Sequence, residues 1–110
     1  MPRFVIQEHN ATHLHWDLRL ERNGVAPSWA VPKGVSNEKG VRRLAVQVDD
    51  HSVAYMSHTS SRVAIWDSGT YDLEKWEDDK IVFELHGDRL EGRYALIRTD
   101  GKNWLIHRTR

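Results

Sequence analysis

Short segments of alternating polar and apolar residues, separated by turn signals, recur along the whole of this 110-residue chain. Such alternation is typical of β-strands because successive side chains leave a strand on opposite faces. Seven or eight short strands with almost no helix predict a mainly β fold, a small closed antiparallel β-barrel with little helix. The predicted strands are Phe4–His9, His13–Glu21, Val25–Val31, Arg42–Asp49, Arg62–Asp67, Ile81–His86, Leu90–Arg98 and Asn103–Arg108.

The segments between these strands carry recognisable turn residues. Arg22-Asn23-Gly24 predicts a hairpin turn, because Asn-Gly readily supplies a positive φ angle. Ser68-Gly69 is likewise interpreted as a turn, and the acidic run Leu73–Lys80 as a loop. The polar segment Ser52–Ser61 predicts a loop or a single helical turn. Trp29, Trp66 and Trp104 lie in apolar runs, and we expect all three in the core.

Length, charge and cysteine content limit the classes of protein that this chain can represent. A length of 110 residues predicts one domain spanning 1–110. Sixteen basic and sixteen acidic residues balance, so no basic stripe for gripping a long nucleic acid is indicated, although a local phosphate site is compatible with that balance. The absence of cysteine excludes disulfides, thiolate zinc sites and thiol nucleophiles. Because the sequence has no signal peptide and no membrane-spanning run, we expect a cytoplasmic protein with no membrane partner. We also expect a monomer.

The segment Gln7–Glu21 (QEHNATHLHWDLRLE) has the most unusual polar face in the chain. An imidazole, a carboxylate and a guanidinium follow one another there, and burying such a face is unfavourable unless something binds to it. The opposite, apolar face is expected to pack into the barrel wall. The two faces are His15, Asp17 and Arg19 on one side, and Trp16, Leu18 and Leu20 on the other.

His15-x-Asp17 is the sharpest signal for a metal site. Residues two apart in a strand point the same way, with their side chains roughly 7 Å apart at the backbone. An imidazole and a carboxylate suit Mn²⁺, Fe²⁺, Zn²⁺ or Co²⁺, and His9 is the nearest candidate for a third ligand. The alternative interpretation is a hydrogen-bonded pair on a solvated face, which is the commoner meaning of an isolated His-x-Asp.

Arg19 follows these residues on the same face. A guanidinium beside a metal site suits phosphate binding, because its planar fork can donate to two oxygens at once. The alternative is a salt bridge to Asp17 or Glu21. Both interpretations stay open from the sequence.

Other polar residues give weaker signals. His51 and Tyr55 are four residues apart, so on one helical turn they would share a face and could contact one anion; the alternative is two ordinary loop side chains. Arg43 and Lys33 are further cationic candidates, each more often a surface charge than a ligand. The remaining histidines are interpreted as flanking, structural or surface residues: His13, His58, His86 and His107.

Six sequence blocks together suggest a family. They are FVIQEH (Phe4–His9), LHWDLRLE (Leu14–Glu21), SWAVPKG (Ser28–Gly34), RLAVQVDDH (Arg43–His51) with Tyr55, IWDSGTY (Ile65–Tyr71), and the pattern L-x-G-R-Y-x-L-I-R with WLI (Leu90–Ile106). In this order and spacing they resemble the 3′-phosphoesterase domain of bacterial DNA ligase D and its stand-alone archaeal and bacterial relatives.

The resemblance implies a function. Members of that family process DNA strands that end in 3′-ribonucleotides. They remove the terminal nucleoside to leave a 3′-phosphate, and then remove the phosphate to leave a 3′-hydroxyl. The resemblance also implies a small β-barrel with a divalent metal in a crater, most commonly Mn²⁺, with Zn²⁺ or Co²⁺ as alternatives. The expected partners are a DNA 3′ end and a separate ligase and polymerase of the same repair pathway.

The resemblance also assigns roles to residues. The implied metal ligands are His9, His15 and Asp17; the implied catalytic residues, which contact the phosphate, are Arg19, His51 and Tyr55; and the implied substrate-binding residues are Arg43, Lys33, Gln7 and Asp49. The chain departs from the family pattern at three places. The family has an active-site segment ahead of the first block, and here only Met1-Pro2-Arg3 precede Phe4. Asp49-Asp50-His51 replaces the usual Glu-Asp-His, and Met56–Ser61 is shorter than the Gly-rich insertion of many relatives.

Two other functions fit parts of the same pattern. His15-x-Asp17 with a distant His51 imitates the two-histidine, one-carboxylate site of a non-haem Fe(II) oxygenase. A small barrel that binds DNA ends without cutting them is the non-enzymatic alternative.

Overall fold

The computed structural model describes all 110 residues, as eight β-strands and one short 3₁₀ helix. This confirms the predicted mainly β fold with little helix. The strands are β1 Arg3–Asn10, β2 Leu14–Leu20, β3 Val25–Val31, β4 Arg43–Ser52, β5 Val63–Trp76, β6 Lys80–Gly87, β7 Glu91–Asp100 and β8 Asn103–Arg108, and the 3₁₀ helix is Val53–Ser57.

The strands form a closed barrel in the order β1-β2-β3-β4-β8-β7-β6-β5, and every pair is antiparallel. Strands β1–β4 and β5–β8 are two consecutive meanders joined by the 3₁₀ helix. β5 pairs with β1, and β8 closes the barrel against β4. Closure gives every strand a paired neighbour on both sides. No helix of the chain has the length and apolar character required to cross a membrane.

The barrel interior holds the main core, a cluster of 17 buried residues. Leu18 and Leu20 of β2 are fully buried in it, as the alternation in that strand predicts. Each such side chain stabilises the fold by about 1.5–3 kcal/mol. Trp29 and Trp104 meet edge to face in the core, with ring centroids 5.7 Å apart. Trp66 confirms the prediction only in part: it packs against this core but is half-buried, and the guanidinium of Arg89 lies over its ring.

The opposite, outer face of β1–β4 is covered in part by the 3₁₀ helix. Val5, Ala26 and Met56 form a second small apolar cluster there, between the helix and the barrel wall. Because of this cover, Asp17 and Arg19 on the outer face of β2 are only 7% and 3% exposed. The chain between the two meanders therefore turns part of the outer wall into a sheltered polar site.

The predicted turn at Ser68-Gly69 is wrong, since β5 runs unbroken through these residues. Gly69 pairs with Gly87 of β6, and a Cβ atom at Gly69 would overlap the backbone carbonyl oxygen of His86. The glycine therefore allows a close approach of two strands and does not mark a turn.

The predicted loop at Leu73–Lys80 is also wrong in most of its length. β5 extends to Trp76, and only residues 77–79 connect it to β6. Trp76 packs against Trp29 of the core, with ring centroids 6.3 Å apart. Glu74 pairs with Arg93 of β7 on the outer surface. Glu74 thus lies on the solvent face of β5, whereas the other acidic residues of this run, Glu77, Asp78 and Asp79, form the connection to β6.

Strand β4 is longer than predicted, since it continues through His51 to Ser52. The predicted helical turn follows at once, and the Ser52 hydroxyl accepts a hydrogen bond from the Tyr55 N–H at 3.3 Å. The hairpin predicted at Asn23-Gly24 is confirmed, with φ angles of 52° and 82°.

Candidate functional site

The β1–β2 hairpin brings His9, His15 and Asp17 to one point on the outer face. His9 and His15 are paired residues of the two strands. One ligand atom from each of the three side chains lies within 4.8 Å of the others. Asp17 Oδ2 lies 3.6 Å from His9 Nδ1 and 3.3 Å from His15 Nε2. We call this group the β1–β2 cluster.

The orientation of the His15 ring suits metal ligation. Its Nδ1 lies 3.0 Å from the carbonyl oxygen of His13. A carbonyl only accepts hydrogen bonds, so Nδ1 carries a proton, and in the neutral ring the lone pair is on Nε2, the nitrogen that lies towards Asp17. A hydrogen bond of this kind fixes both the ring and the tautomer of metal-binding histidines. Two imidazoles and a carboxylate fit a divalent transition metal.

Arg19 lies beneath the cluster with its guanidinium held on several sides. Its Nε donates to Gln7 Oε1 at 2.7 Å, and its Nη1 donates to Ser28 Oγ at 2.8 Å. Its Nη2 lies 3.6 Å from Asp17 Oδ2, so the salt bridge that the sequence left open is present. Burial lowers the pKa of Arg19 and the Asp17 carboxylate raises it, yet a guanidinium stays charged.

Gln7 connects Arg19 to the 3₁₀ helix. Its side chain is fully buried, and its Nε2 donates to the carbonyl oxygens of Tyr55 at 2.8 Å and His58 at 3.2 Å. Both ends of the amide are thus bound to protein groups. This differs from the expectation that Gln7 contacts a substrate, because in this arrangement it holds other residues in place.

Ser28 was not among the sequence candidates. It is fully buried, pairs with Arg19 in the β2–β3 register, and donates from its hydroxyl to the carbonyl oxygen of Ala26 at 2.8 Å. Only its register opposite Arg19 could have indicated its role, and that register is a long-range property of the fold.

His51 and Tyr55 do meet, although His51 lies in β4 and not on a helical turn with Tyr55. Their ring centroids are 4.9 Å apart, and the Arg19 guanidinium carbon lies 4.9 Å from the Tyr55 centroid. His51 Nδ1 lies 3.0 Å from the carbonyl oxygen of Asp49. As in His15, Nδ1 is the nitrogen that donates to a backbone carbonyl, and Nε2 of His51 makes no internal hydrogen bond.

The basic candidates Lys33 and Arg43 lie in a different place. With Pro32, Arg42 and Leu44 they line a surface hollow of about 300 Å³ that includes no member of the β1–β2 cluster. Arg43 donates to the carbonyl oxygens of Lys33 and Gly34. Asp49 is exposed and contributes its carbonyl, not its carboxylate, to His51.

A second histidine–carboxylate group lies on the outer face of β5 and β6. Asp72, Glu84 and His86, which we call the β5–β6 cluster, also place one ligand atom each within 4.8 Å of the others. His86 Nε2 is hydrogen-bonded to Asp72 Oδ2 at 2.8 Å, and this bond raises the pKa of His86.

Comparison with known proteins gives the class of this barrel. Residues 7–98 match the family described as the DNA ligase D 3′-phosphoesterase domain. The chain is similar to the multifunctional non-homologous end joining DNA repair protein LigD of Mycobacterium tuberculosis, with 48% identity over 118 residues. It is also similar to the LigD protein of Mycolicibacterium smegmatis, with 46% identity over 126 residues, and to that of Pseudomonas aeruginosa, with 40% identity over 112 residues.

These matches cover 96%, 96% and 89% of this chain, but only 16%, 16% and 13% of the three relatives. The chain thus spans about a sixth of the length of the relatives it matches, or less. The barrel is a phosphoesterase domain by class. More particularly, the chain belongs to the DNA ligase D 3′-phosphoesterase domain family.

Proposed function

We propose that this domain is a divalent-metal-dependent 3′-phosphoesterase. It acts on DNA strands that end in a 3′-ribonucleotide or a 3′-phosphate, as a phosphodiesterase, a phosphomonoesterase or both. The observation that carries the proposal is the convergence of His9, His15 and Asp17 beside a buried arginine, in a chain of this family. Because the relatives are named for non-homologous end joining, we extend the proposal to that repair process, with a separate ligase and polymerase as partners.

The proposed ligands are His9 Nδ1, His15 Nε2 and the Asp17 carboxylate, with Mn²⁺ as the first candidate and Zn²⁺ or Co²⁺ as alternatives. When bound, a divalent cation stabilises negative charge on phosphoryl oxygens as a Lewis acid. The second histidine of the set is His9, whereas the oxygenase interpretation used His51, which lies beside Tyr55 instead. Together with family membership, this favours the phosphoesterase.

Arg19 is proposed to neutralise charge on the non-bridging phosphoryl oxygens. A guanidinium has five N–H donors, and Gln7 and Ser28 occupy one on Nε and one on Nη1. The other donors remain for Asp17 and for a phosphate. Because the fork is already fixed, little reorganisation accompanies charge development in the transition state.

His51 and Tyr55 are proposed to act on the same phosphate. In the first step the bond between phosphorus and the 5′-oxygen of the terminal nucleoside breaks as water adds to phosphorus. In the second step the bond to the 3′-oxygen breaks. Each leaving oxygen needs a proton, and the protonated His51 ring can donate one from Nε2 while Nδ1 stays bonded to Asp49. The Tyr55 hydroxyl donates a hydrogen bond to the phosphate.

The test uses end-labelled primer-templates that finish in one ribonucleotide, in a 3′-phosphate or in a 3′-hydroxyl, incubated with Mn²⁺ or with EDTA. In Mn²⁺ we expect the ribonucleotide end to be converted to a 3′-phosphate and then to a 3′-hydroxyl. In EDTA we expect neither conversion. DNA binding without turnover in Mn²⁺, Zn²⁺ and Co²⁺ would favour the non-catalytic end-binding barrel and contradict the proposal.

A further inference from the structure

The ring of Tyr55 is enclosed by three cationic or aromatic groups. Arg19 and His51 approach it from the barrel wall, as described above. His58, three residues after Tyr55, stacks on it with ring centroids 4.7 Å apart and an interplanar angle of 16°. The sequence pattern had placed His58 among structural or surface residues. His58 is exposed, so it forms the solvent end of this stack.

The backbone of His58 is fixed although its side chain is exposed. Its N–H donates to the carbonyl oxygen of Tyr55 at 3.0 Å, which ends the 3₁₀ helix. Its own carbonyl accepts from the buried Gln7 amide at 3.2 Å. Gln7 also holds Arg19, so the backbone of His58 is connected to the site through one buried side chain.

An exposed aromatic ring held at the edge of a phosphate site is a stacking surface for a nucleobase. Every base has a π-face, so stacking on an aromatic side chain tolerates any base sequence. The formal net charge of the chain is zero, so general electrostatic attraction contributes little to binding a long DNA. Contacts at the strand end itself are therefore more important for affinity.

We propose that His58, backed by Tyr55, forms a stacking shelf for the base of the 3′-terminal nucleotide of the substrate strand. The inference rests on the proposed function and adds a specificity determinant to it. The shelf binds the terminal nucleoside that leaves in the diesterase step. A strand that already ends in 3′-phosphate lacks this nucleoside, so the shelf contributes to the first step and not to the second.

A merely structural role of His58 makes a different prediction. If the ring only held Tyr55 in place, its removal would weaken both steps together, because the Tyr55 hydroxyl is proposed to contact the phosphate in both. The backbone contacts of His58 to Tyr55 and Gln7 do not depend on its side chain. Side-chain variants therefore separate stacking from positioning.

The experiment compares His58→Ala and His58→Phe with the wild-type domain on ribonucleotide-ended and 3′-phosphate-ended primers in Mn²⁺. We expect His58→Ala to raise KM for the ribonucleotide end roughly 5- to 150-fold with little change in kcat. Its KM for the 3′-phosphate end should match the wild type, and His58→Phe should restore the ribonucleotide KM. Thr59→Ala, an exposed neighbour, is the matched control.

A second readout does not require turnover. A primer with 2-aminopurine as its terminal base should lose fluorescence on binding to the wild type and to His58→Phe, and keep it with His58→Ala. Equal effects of His58→Ala on both primers, or wild-type kinetics and quenching, would overturn the shelf. If the wild type cleaves neither primer, the proposed function fails, and the fluorescence measurement still decides whether the shelf exists.

Discussion

The two histidine–carboxylate clusters on the outer surface have similar ligands but different surroundings. In the β1–β2 cluster the carboxylate of Asp17 is nearly buried, and it lies 3.3–3.6 Å from two imidazoles and a guanidinium. In the β5–β6 cluster Asp72 is exposed, and its carboxylate is already hydrogen-bonded to His86 at 2.8 Å. In the β1–β2 cluster the ligand atoms therefore surround one carboxylate without a hydrogen bond as short as 2.8 Å between them. In the β5–β6 cluster the histidine and a carboxylate are already hydrogen-bonded to each other.

The two clusters differ most in the residues that lie behind their ligand atoms. Behind the β1–β2 cluster, Arg19 is fixed by Gln7 and Ser28, and the carbonyl of His13 sets the tautomer of His15. Buried partners of this kind preorganise a site. The β5–β6 cluster has no buried partner behind it. Its further neighbour is Arg110, an exposed residue that lies 3.8 Å from Glu84.

The largest effect is expected from Asp17→Asn. This change removes the charge that faces both imidazoles and Arg19, and we expect kcat on a ribonucleotide-ended primer to fall by about 10²–10³-fold. The matched variant Asp72→Asn makes the same chemical change in the β5–β6 cluster and should leave kcat unaltered. Equal losses from the two variants in a steady-state assay would remove the distinction between the clusters.

Arg19→Lys should have the next largest effect. A lysine keeps the charge but lacks the planar fork that donates to Gln7 and Ser28 together. We expect kcat/KM to fall by roughly 10- to 100-fold, the same order as changes in groups that orient ligands. Arg93→Lys, which alters the exposed pair with Glu74, should retain activity. A fully active Arg19→Lys would show that the fork is not required.

Gln7→Ala tests, through the free energy of unfolding, whether Gln7 holds Arg19 and the 3₁₀ helix together. Removing the amide leaves Arg19 Nε and the carbonyl oxygen of His58 without this partner, while the carbonyl oxygen of Tyr55 keeps only the His58 N–H. Unpaired buried polar groups destabilise by about 1–3 kcal/mol, which urea unfolding monitored by tryptophan fluorescence would measure. Glu74→Ala breaks an exposed pair and should leave the unfolding midpoint within experimental scatter. Similar unfolding midpoints for the two variants would contradict this structural role of Gln7.

The smallest effect concerns the titration of His86. Its hydrogen bond to Asp72 raises the pKa above the ordinary value of 6.5, and NMR titration of the ring protons should show this. Because the pKa is raised in the folded state, the bond stabilises the fold below the unfolded pKa, and this stabilisation is lost as pH rises through the folded pKa. Asp72→Asn should return the His86 pKa towards 6.5; an unchanged pKa would contradict the pairing.

Much of the site was predictable because its signals are local. The alternation in β2 places His15, Asp17 and Arg19 on one face, and a hairpin between His9 and His15 brings their rings together. The barrel itself follows from the number and spacing of the strands.

The remaining features depend on pairing between distant segments. Ser28 is a site residue only because β3 places it opposite Arg19, and Gly69 lies within a strand only because Gly87 lies across from it. Local turn and charge signals contain no information on such register, which is why Ser68-Gly69 was mistaken for a turn.

The most direct test of the account is a titration of the domain with Mn²⁺, observed in the NMR signals of its histidine ring protons. The paramagnetic ion broadens the signals of the rings nearest to it. We expect the signals of His9 and His15 to broaden first, at Mn²⁺ concentrations that leave those of His86 sharp, and we expect Asp17→Asn to abolish this selectivity. If His86 broadens first, or if all seven histidines broaden together, the β1–β2 cluster is not the metal centre of this protein.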